Sequence, residues 1–302
     1  MALLRRMRRP DADLMLLGTV TLWAFNFTVS KYILDEGFQP LAYASIRYGC
    51  AALIFIAITL AWEGSLRVGR AQLPLLALCT VLLFLNQLSF VYALKFTTAT
   101  TVALLFGTLP IFTAILARGA GVEHLSVRFW TAALLSFAGV VLVAAGSGGS
   151  LSANLKGDAL AISGAITWAG YSVAIAPLMR SYSPFRLSAI FLGAVTIPLL
   201  LVGSRQLANQ SFDFGALVWI GFAFAVVGPL VTTNFLWFTA IDRVGPSRAS
   251  LFANLQPFLA AIIALLLLSE PITALEVVGG LAIGGGIVLA SRRGPAPEPP
   301  AD

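Results

Sequence analysis

The chain has 302 residues, of which 59% are hydrophobic and only 11% charged, with a net charge of +6. A soluble domain is typically about a quarter charged, so a water-soluble globule is excluded and the membrane class remains. The positive charge does not point to nucleic acid, because the basic residues are scattered among short loops beside apolar stretches, where they act as topology signals.

The start, MALLRRMRRPDADLMLLGTV, has the basic opening of a signal peptide. Its apolar run continues into Trp23, Phe25 and Phe27 with no small-residue cleavage site, which predicts a retained first span behind a short cytoplasmic segment, 1–12. A bilayer-spanning helix needs about 20 apolar residues. Ten stretches qualify: 13–32, 41–62, 73–94, 98–118, 127–146, 158–178, 185–203, 215–240, 246–268 and 273–291. Lone strands cannot satisfy their backbone in lipid, so every span is predicted helical. Cys50 and Cys79 fall inside apolar runs and read as buried thiols. Residues 147–157 connect the fifth and sixth spans, and the proline-rich tail 293–302 is predicted disordered.

With the N-terminus in the cytoplasm, 14 of the 19 Lys and Arg fall on the inner side, four on the outer, and Arg47 inside a span. The bias predicts both termini inside a bacterial inner membrane.

The stretch Ala93 to Glu123 recurs 147 residues later, from Ala240 to Glu270. Ala93, Leu104, Pro110 and Glu123 meet Ala240, Leu251, Pro257 and Glu270, and further on Gly139 meets Gly286. At the other end of each half Asp13, Trp23 and Ala24 match Asp158, Trp168 and Ala169 at an offset of 145. An aligned block of this kind signals duplication. The halves, 13–146 and 158–292, hold five spans each, and an odd number forces the second to enter the membrane in the opposite sense. The predicted fold is an all-α integral membrane protein of ten transmembrane helices in two inverted five-helix repeats.

This pattern, with its aligned prolines and glutamates, resembles the drug/metabolite transporter superfamily, EamA type, and within it the amino-acid and metabolite exporters. The resemblance covers residues from about 12 to 292. It implies a central cavity lined by spans 1, 3, 4, 6, 8 and 9, with spans 5 and 10 packed at one side.

Several residues stand out for chemistry. No Asp or Glu falls in the middle of a span, and the single histidine, His124, lies in a loop. A buried carboxylate is the usual ion carrier of a transporter, so transport is expected to be uncoupled or weakly coupled. Glu123 and Glu270 each precede a helix start, where a negative charge complements the helix dipole. Pro110 and Pro257, near the middles of their spans, are expected to kink them and are hinge candidates. Trp23, Asn26 and Ser30 share one face of the first span; Trp168, Tyr171 and Ser172 do so on the sixth. Asn86 and Gln87 on the third, Thr101 on the fourth, Asn234 and Trp237 on the eighth, and Asn254 and Gln256 on the ninth complete the polar set. Amides in lipid must find partners, so each forms an interhelical bond or lines a wet cavity; as a set they are the candidate substrate-binding residues. Arg47 either snorkels to the outer headgroups or anchors a substrate anion. The glycines Gly279, Gly280, Gly284, Gly285 and Gly286 permit close packing, within one protomer or across a dimer.

No P-loop, metal-ligand cluster or nucleophile–base pair occurs at recognisable spacing, so no metal, cofactor or enzymatic activity is expected. The expected partners are the bilayer and a small-molecule substrate, not nucleic acid, with the chain a monomer or homodimer. The reading is a secondary transporter that exports small metabolites by alternating access, with amino acids, aromatic and hydrophobic ones included, as the favoured cargo. That preference owes more to the resemblance than to the residues. A transporter of phosphorylated or nucleotide-linked sugars, which needs several cavity cations, and a membrane enzyme acting on lipid are the alternatives.

Overall fold

A computed structural model describes residues 12–146, 154–268 and 272–291. The expectations for residues 1–11, most of the 147–157 connection, Glu270 and the tail lie outside the described residues. The first half runs α1 (Ala12–Asp35), α2 (Pro40–Glu63), α3 (Leu73–Phe96), α4 (Ala99–Phe106), α5 (Leu109–Gly119) and α6 (Val127–Gly146). The second runs α7 (Leu155–Met179), α8 (Pro184–Ala208), α9 (Ala216–Val226), α10 (Thr233–Val244), α11 (Pro246–Ala253), α12 (Gln256–Leu268) and α13 (Ala274–Ser291). Among the described residues nine helical stretches are long and apolar enough to cross a membrane, and α11 with α12 covers the remaining predicted span.

Local chemistry sets the helix starts. Proline opens α2, α8 and α11, where a helix has no use for the missing N–H. The Asn154 and Ser183 side chains accept backbone N–H groups at the starts of α7 and α8. Thr273 and Glu276 cap α13 reciprocally: Glu276 Oε2 accepts the Thr273 N–H at 2.7 Å, and Thr273 Oγ1 accepts the Glu276 N–H at 3.3 Å. That bond accounts for a carboxylate only 5% exposed.

The inversion is visible in the contacts. α1 begins beside the start of α11, where Arg248 Nη2 donates to Asp13 Oδ1 and Oδ2 at 2.8 and 3.0 Å. Its counterpart α7 begins on the opposite face, where Lys156 lies 4.2 Å from the Phe96 ring at the end of α3. The halves are stapled by three helix pairs, α2 with α8, α3 with α7 and α6 with α13. In the last pair the backbones nearly touch: a Cβ on Gly279 would lie 2.6 Å from the Gly139 carbonyl oxygen. Gly280 and Gly286 are likewise filled by Phe258 and by Ala132 with Ser136. Three of the five glycines of α13 are therefore used for packing inside the protomer.

Two spans differ from expectation in an informative way. Pro110 and Pro257 do not kink continuous helices. Each is the second residue of a new helix, α5 or α12, after a break at Gly107–Thr108 or at Asn254–Leu255. Proline removes the N–H that would have reached the carbonyl four residues back. In the second half that carbonyl, Ala253 O, is met by the Gln256 side chain, whose Nε2 donates at 3.0 Å. The eighth predicted span is also interrupted, by a π-helical segment at Val227–Thr232 that contains Pro229. π-Bulges within helices are frequent at functional sites.

Candidate functional site: a cavity between the halves

The breaks and the π-helical segment converge on one cavity whose empty space, mouth included, is about 690 Å³. Its lining is paired by the repeat. Trp23 and Trp168, 145 residues apart, both line it, and their rings meet edge to face at 5.3 Å. At an offset of 147, Leu83 pairs with Leu230, Gln87 with Asn234 and Leu109 with Gln256, and all six line the cavity. Leu109 and Gln256 are the residues just before the two repeat-matched prolines.

One wall is polar and comes from α1, α2 and α3. Arg47, 2% exposed, reaches inward and does not snorkel. Its Nη2 donates to Gln87 Oε1 at 2.8 Å, and its Nη1 to Tyr43 Oη and Asn26 Oδ1 at 3.3 and 3.4 Å. Gln87 Nε2 donates to Asn86 Oδ1, and Asn86 Nδ2 to the Gly164 carbonyl on α7, extending the chain across the halves. The guanidinium also lies over Tyr43 and Phe90, 4.9 and 5.9 Å from the ring centroids. Among the described residues it makes no ion pair, and its Nε–H has no partner. The lining is also aromatic. Trp237 packs on Trp23 at 4.8 Å and on Trp168 at 6.4 Å. Trp23 Nε1 donates to Thr233 Oγ1 at 3.1 Å, whereas Trp168 Nε1 has no partner.

The predicted set divides. Arg47, Trp23, Asn26, Asn86, Gln87, Trp168, Asn234 and Gln256 line the cavity. The others stand behind it or away from it. Ser30 donates to Asn26 Oδ1 and shares a hydrogen bond with Tyr43, which holds the Arg47 partners in place. Tyr171 and Trp237 back the Trp168 ring, and Ser172 is buried beside them in sequence. Asn254 donates to Ser136 on α6 at 2.9 Å, an interhelical bond, not a cavity contact. Thr101 belongs to the start of α4, where its N–H is capped by Thr98 Oγ1. The prolines Pro110 and Pro257 are also off the lining. Sequence reasoning missed the other nine lining residues, the apolar Phe27, Leu83, Phe90, Phe106, Leu109 and Leu230 together with Tyr48, Leu192 and Pro229. The lining is not confined to spans 1, 3, 4, 6, 8 and 9, since spans 2 and 7 contribute Arg47, Tyr48 and Leu192. The Gly228–Pro229 dipeptide inside an apolar run was the available signal for the last.

Glu123 has another role than the expected one. The start of its own following helix, α6, is served by Ser126 Oγ, which accepts the Phe129 N–H. Glu123 instead reaches the other half, where Oε2 accepts the Ser247 N–H at the start of α11 at 3.3 Å. Gly245 makes room for it. Its φ is +82°, and a Cβ there would run into the Glu123 carboxylate. Burial pushes the Glu123 carboxyl above the usual carboxylate range, and the bond to Ser247 opposes that rise.

Known proteins share this architecture. The EamA-like transporter family matches residues 11–145 and again 155–292, one match per half. An uncharacterized transporter of Bacillus subtilis, YyaM, is 28% identical over 295 residues, covering 94% of this chain and 95% of the relative. An uncharacterized transporter of Archaeoglobus fulgidus is 27% identical over 285 residues, covering 91% and 97%. A solved crystal structure superimposes with a TM-score of 0.76 at 19% identity, covering 93% and 96%, a likeness of fold. The chain, a multi-pass membrane protein built from two inverted copies of one five-span unit, belongs to the EamA-like transporter family.

Proposed function

We propose that the protein is a secondary transporter that exports small metabolites bearing a carboxylate and an apolar or aromatic group, amino acids being the class that the resemblance to the exporters favours. The observation that carries this reading is Arg47, a buried guanidinium with no counter-ion among the described residues, lining a cavity between the halves together with the paired Trp23 and Trp168. An intramembrane charge of this kind marks a substrate path. Paired discontinuous helices at the repeat interface are where such folds bind their cargo, and Gly107–Pro110 and Asn254–Pro257 supply that pair and its hinges. A single cavity cation is thin for sugar phosphates. Near the faces, Asp13, Glu63, Glu123 and Glu276 are engaged in structural bonds, which disfavours a part for them in lipid chemistry. Both termini face the cytoplasm in this reading, so the Asp13–Arg248 and Glu123–Ser247 contacts close the inner side. Among the described residues no carboxylate lines the cavity to alternate its proton, so the cargo's own electrochemical gradient sets the direction.

In liposomes, labelled amino acids or related carboxylates should exchange against unlabelled ones at zero membrane potential and zero pH difference. An imposed pH gradient should not concentrate them. Exchange confined to sugar phosphates, or concentration driven by protons alone, would overturn the corresponding part of the proposal.

A further inference from the structure

We infer that the cavity takes its cargo as an organic monoanion in preference to a zwitterion, with Arg47 as the counter-ion of the cargo's carboxylate. The inference rests on the transporter reading and ranks substrates within it.

The argument is one of charge. Guanidinium stays protonated, so the empty cavity carries a full positive charge. All three oxygens that Arg47 meets, on Asn26, Tyr43 and Gln87, are neutral, and its Nε–H is unpartnered. Among the described residues no Asp or Glu lines the cavity. Two enclosed glutamates are engaged elsewhere, Glu276 on the cap of α13 and Glu123 at the start of α11. A second unpartnered donor, Trp168 Nε1, belongs to the same lining.

A bound monoanion brings this site to neutrality, which low-dielectric surroundings reward. A zwitterion leaves it at its original charge, because the ammonium group finds neutral amides such as Asn234 and Gln256, not a carboxylate. An amine cation doubles the charge. The expected order is therefore anion, then zwitterion, then cation, for one and the same side chain. A consequence follows for energetics. A cycle that carries a monoanion without a coupling ion moves one charge across the membrane, so an inside-negative potential drives the cargo outward.

The test uses matched sets with a phenyl, isobutyl or methyl group, each as the hydroxy acid, the amino acid and the amine. Phenyllactate, phenylalanine and phenethylamine form one set. Binding to the purified full chain is read from tryptophan fluorescence, since Trp23 and Trp168 line the cavity. In the set that fits the cavity, the hydroxy acid should bind about tenfold tighter than the amino acid or more, with the amine weakest. Arg47→Lys should keep the order, and Arg47→Gln should bring the ratio close to one. Should Arg47→Gln fail to fold, the wild type still decides. In liposomes, a potassium diffusion potential, negative inside, should speed efflux of the hydroxy acid several-fold and leave the amino acid unchanged. Amino acids that bind as tightly as the hydroxy acids, with efflux indifferent to potential, would overturn the inference and leave the transporter reading standing. A panel in which nothing binds or exchanges would overturn both.

Discussion

Trp23 and Trp168 hold equivalent places in the two halves and meet in the lining of the cavity, yet the residues around them differ. The first half contributes the lining's charged side chain, Arg47, beside Asn26, Asn86, Gln87 and most of the aromatic rings; the second answers with the uncharged Asn234 and Gln256 among Leu192, Pro229 and Leu230. The helix starts differ in the same way. α4 is capped from within by Thr98, whereas α11 begins at Gly245 and takes its acceptor, Glu123, from the opposite half. The copies have kept the backbone devices, prolines, breaks and central tryptophans, and diverged in charge. Under the proposed function, a cavity charged on one side in this way would hold a cargo carboxylate toward α2.

The largest expected effect comes from erasing the charge difference. Arg47→Leu gives the first half the chemistry that Leu192 gives the second. Carboxylate binding should weaken by about 2 kcal/mol or more, while thermal stability holds or rises, because an uncompensated buried charge is replaced by an apolar group. Titration and melting of the same preparation check both halves of that expectation.

The helix starts come next. Gly245→Ala puts a side chain at a positive φ and against the Glu123 carboxylate, and should destabilise by about 2 kcal/mol or more. The matching change in the first half, Thr98→Ala, removes one cap and should cost about 1 kcal/mol. Equal losses in the two variants would erase the distinction between the α4 and α11 starts.

A smaller effect should appear in pH dependence. Glu123 has its carboxyl raised, chiefly by burial. For a group raised on folding, the contribution to stability is complete below the unfolded value and is lost as pH rises through the folded one. Melting temperature should therefore fall as pH climbs from the ordinary carboxylate range through the raised value. Glu123→Gln, which keeps an acceptor for the Ser247 N–H, should flatten that slope.

Much of this was legible in the sequence, and the reasons are physical. Apolar length gives the spans, because lipid admits only helices or closed barrels. Duplication gives the inversion, because five spans is an odd number. Side-chain polarity within a span marks residues that avoid lipid, but not whether they turn to a cavity or to a neighbouring helix. Asn254 and Asn86 have the same chemistry; one meets Ser136 away from the lining and the other bridges to Gly164 beside it. The breaks at Gly107–Thr108 and Asn254–Leu255 were hidden because hydropathy runs straight through them. The partner of Glu123 was hidden because it comes from 124 residues away, in the half that faces it only after folding.

The central claim is that cargo crosses through the cavity while the two halves alternate in opening each face. It is tested most directly by fastening one face shut. In a variant with Cys50 and Cys79 replaced, Asp13→Cys and Arg248→Cys place thiols at an ion pair that joins the halves at the start of α11. A short, cleavable thiol-to-thiol linker across them should abolish substrate exchange in liposomes, and cutting the linker should restore it. Exchange at the unlinked rate with the bridge intact would contradict the account.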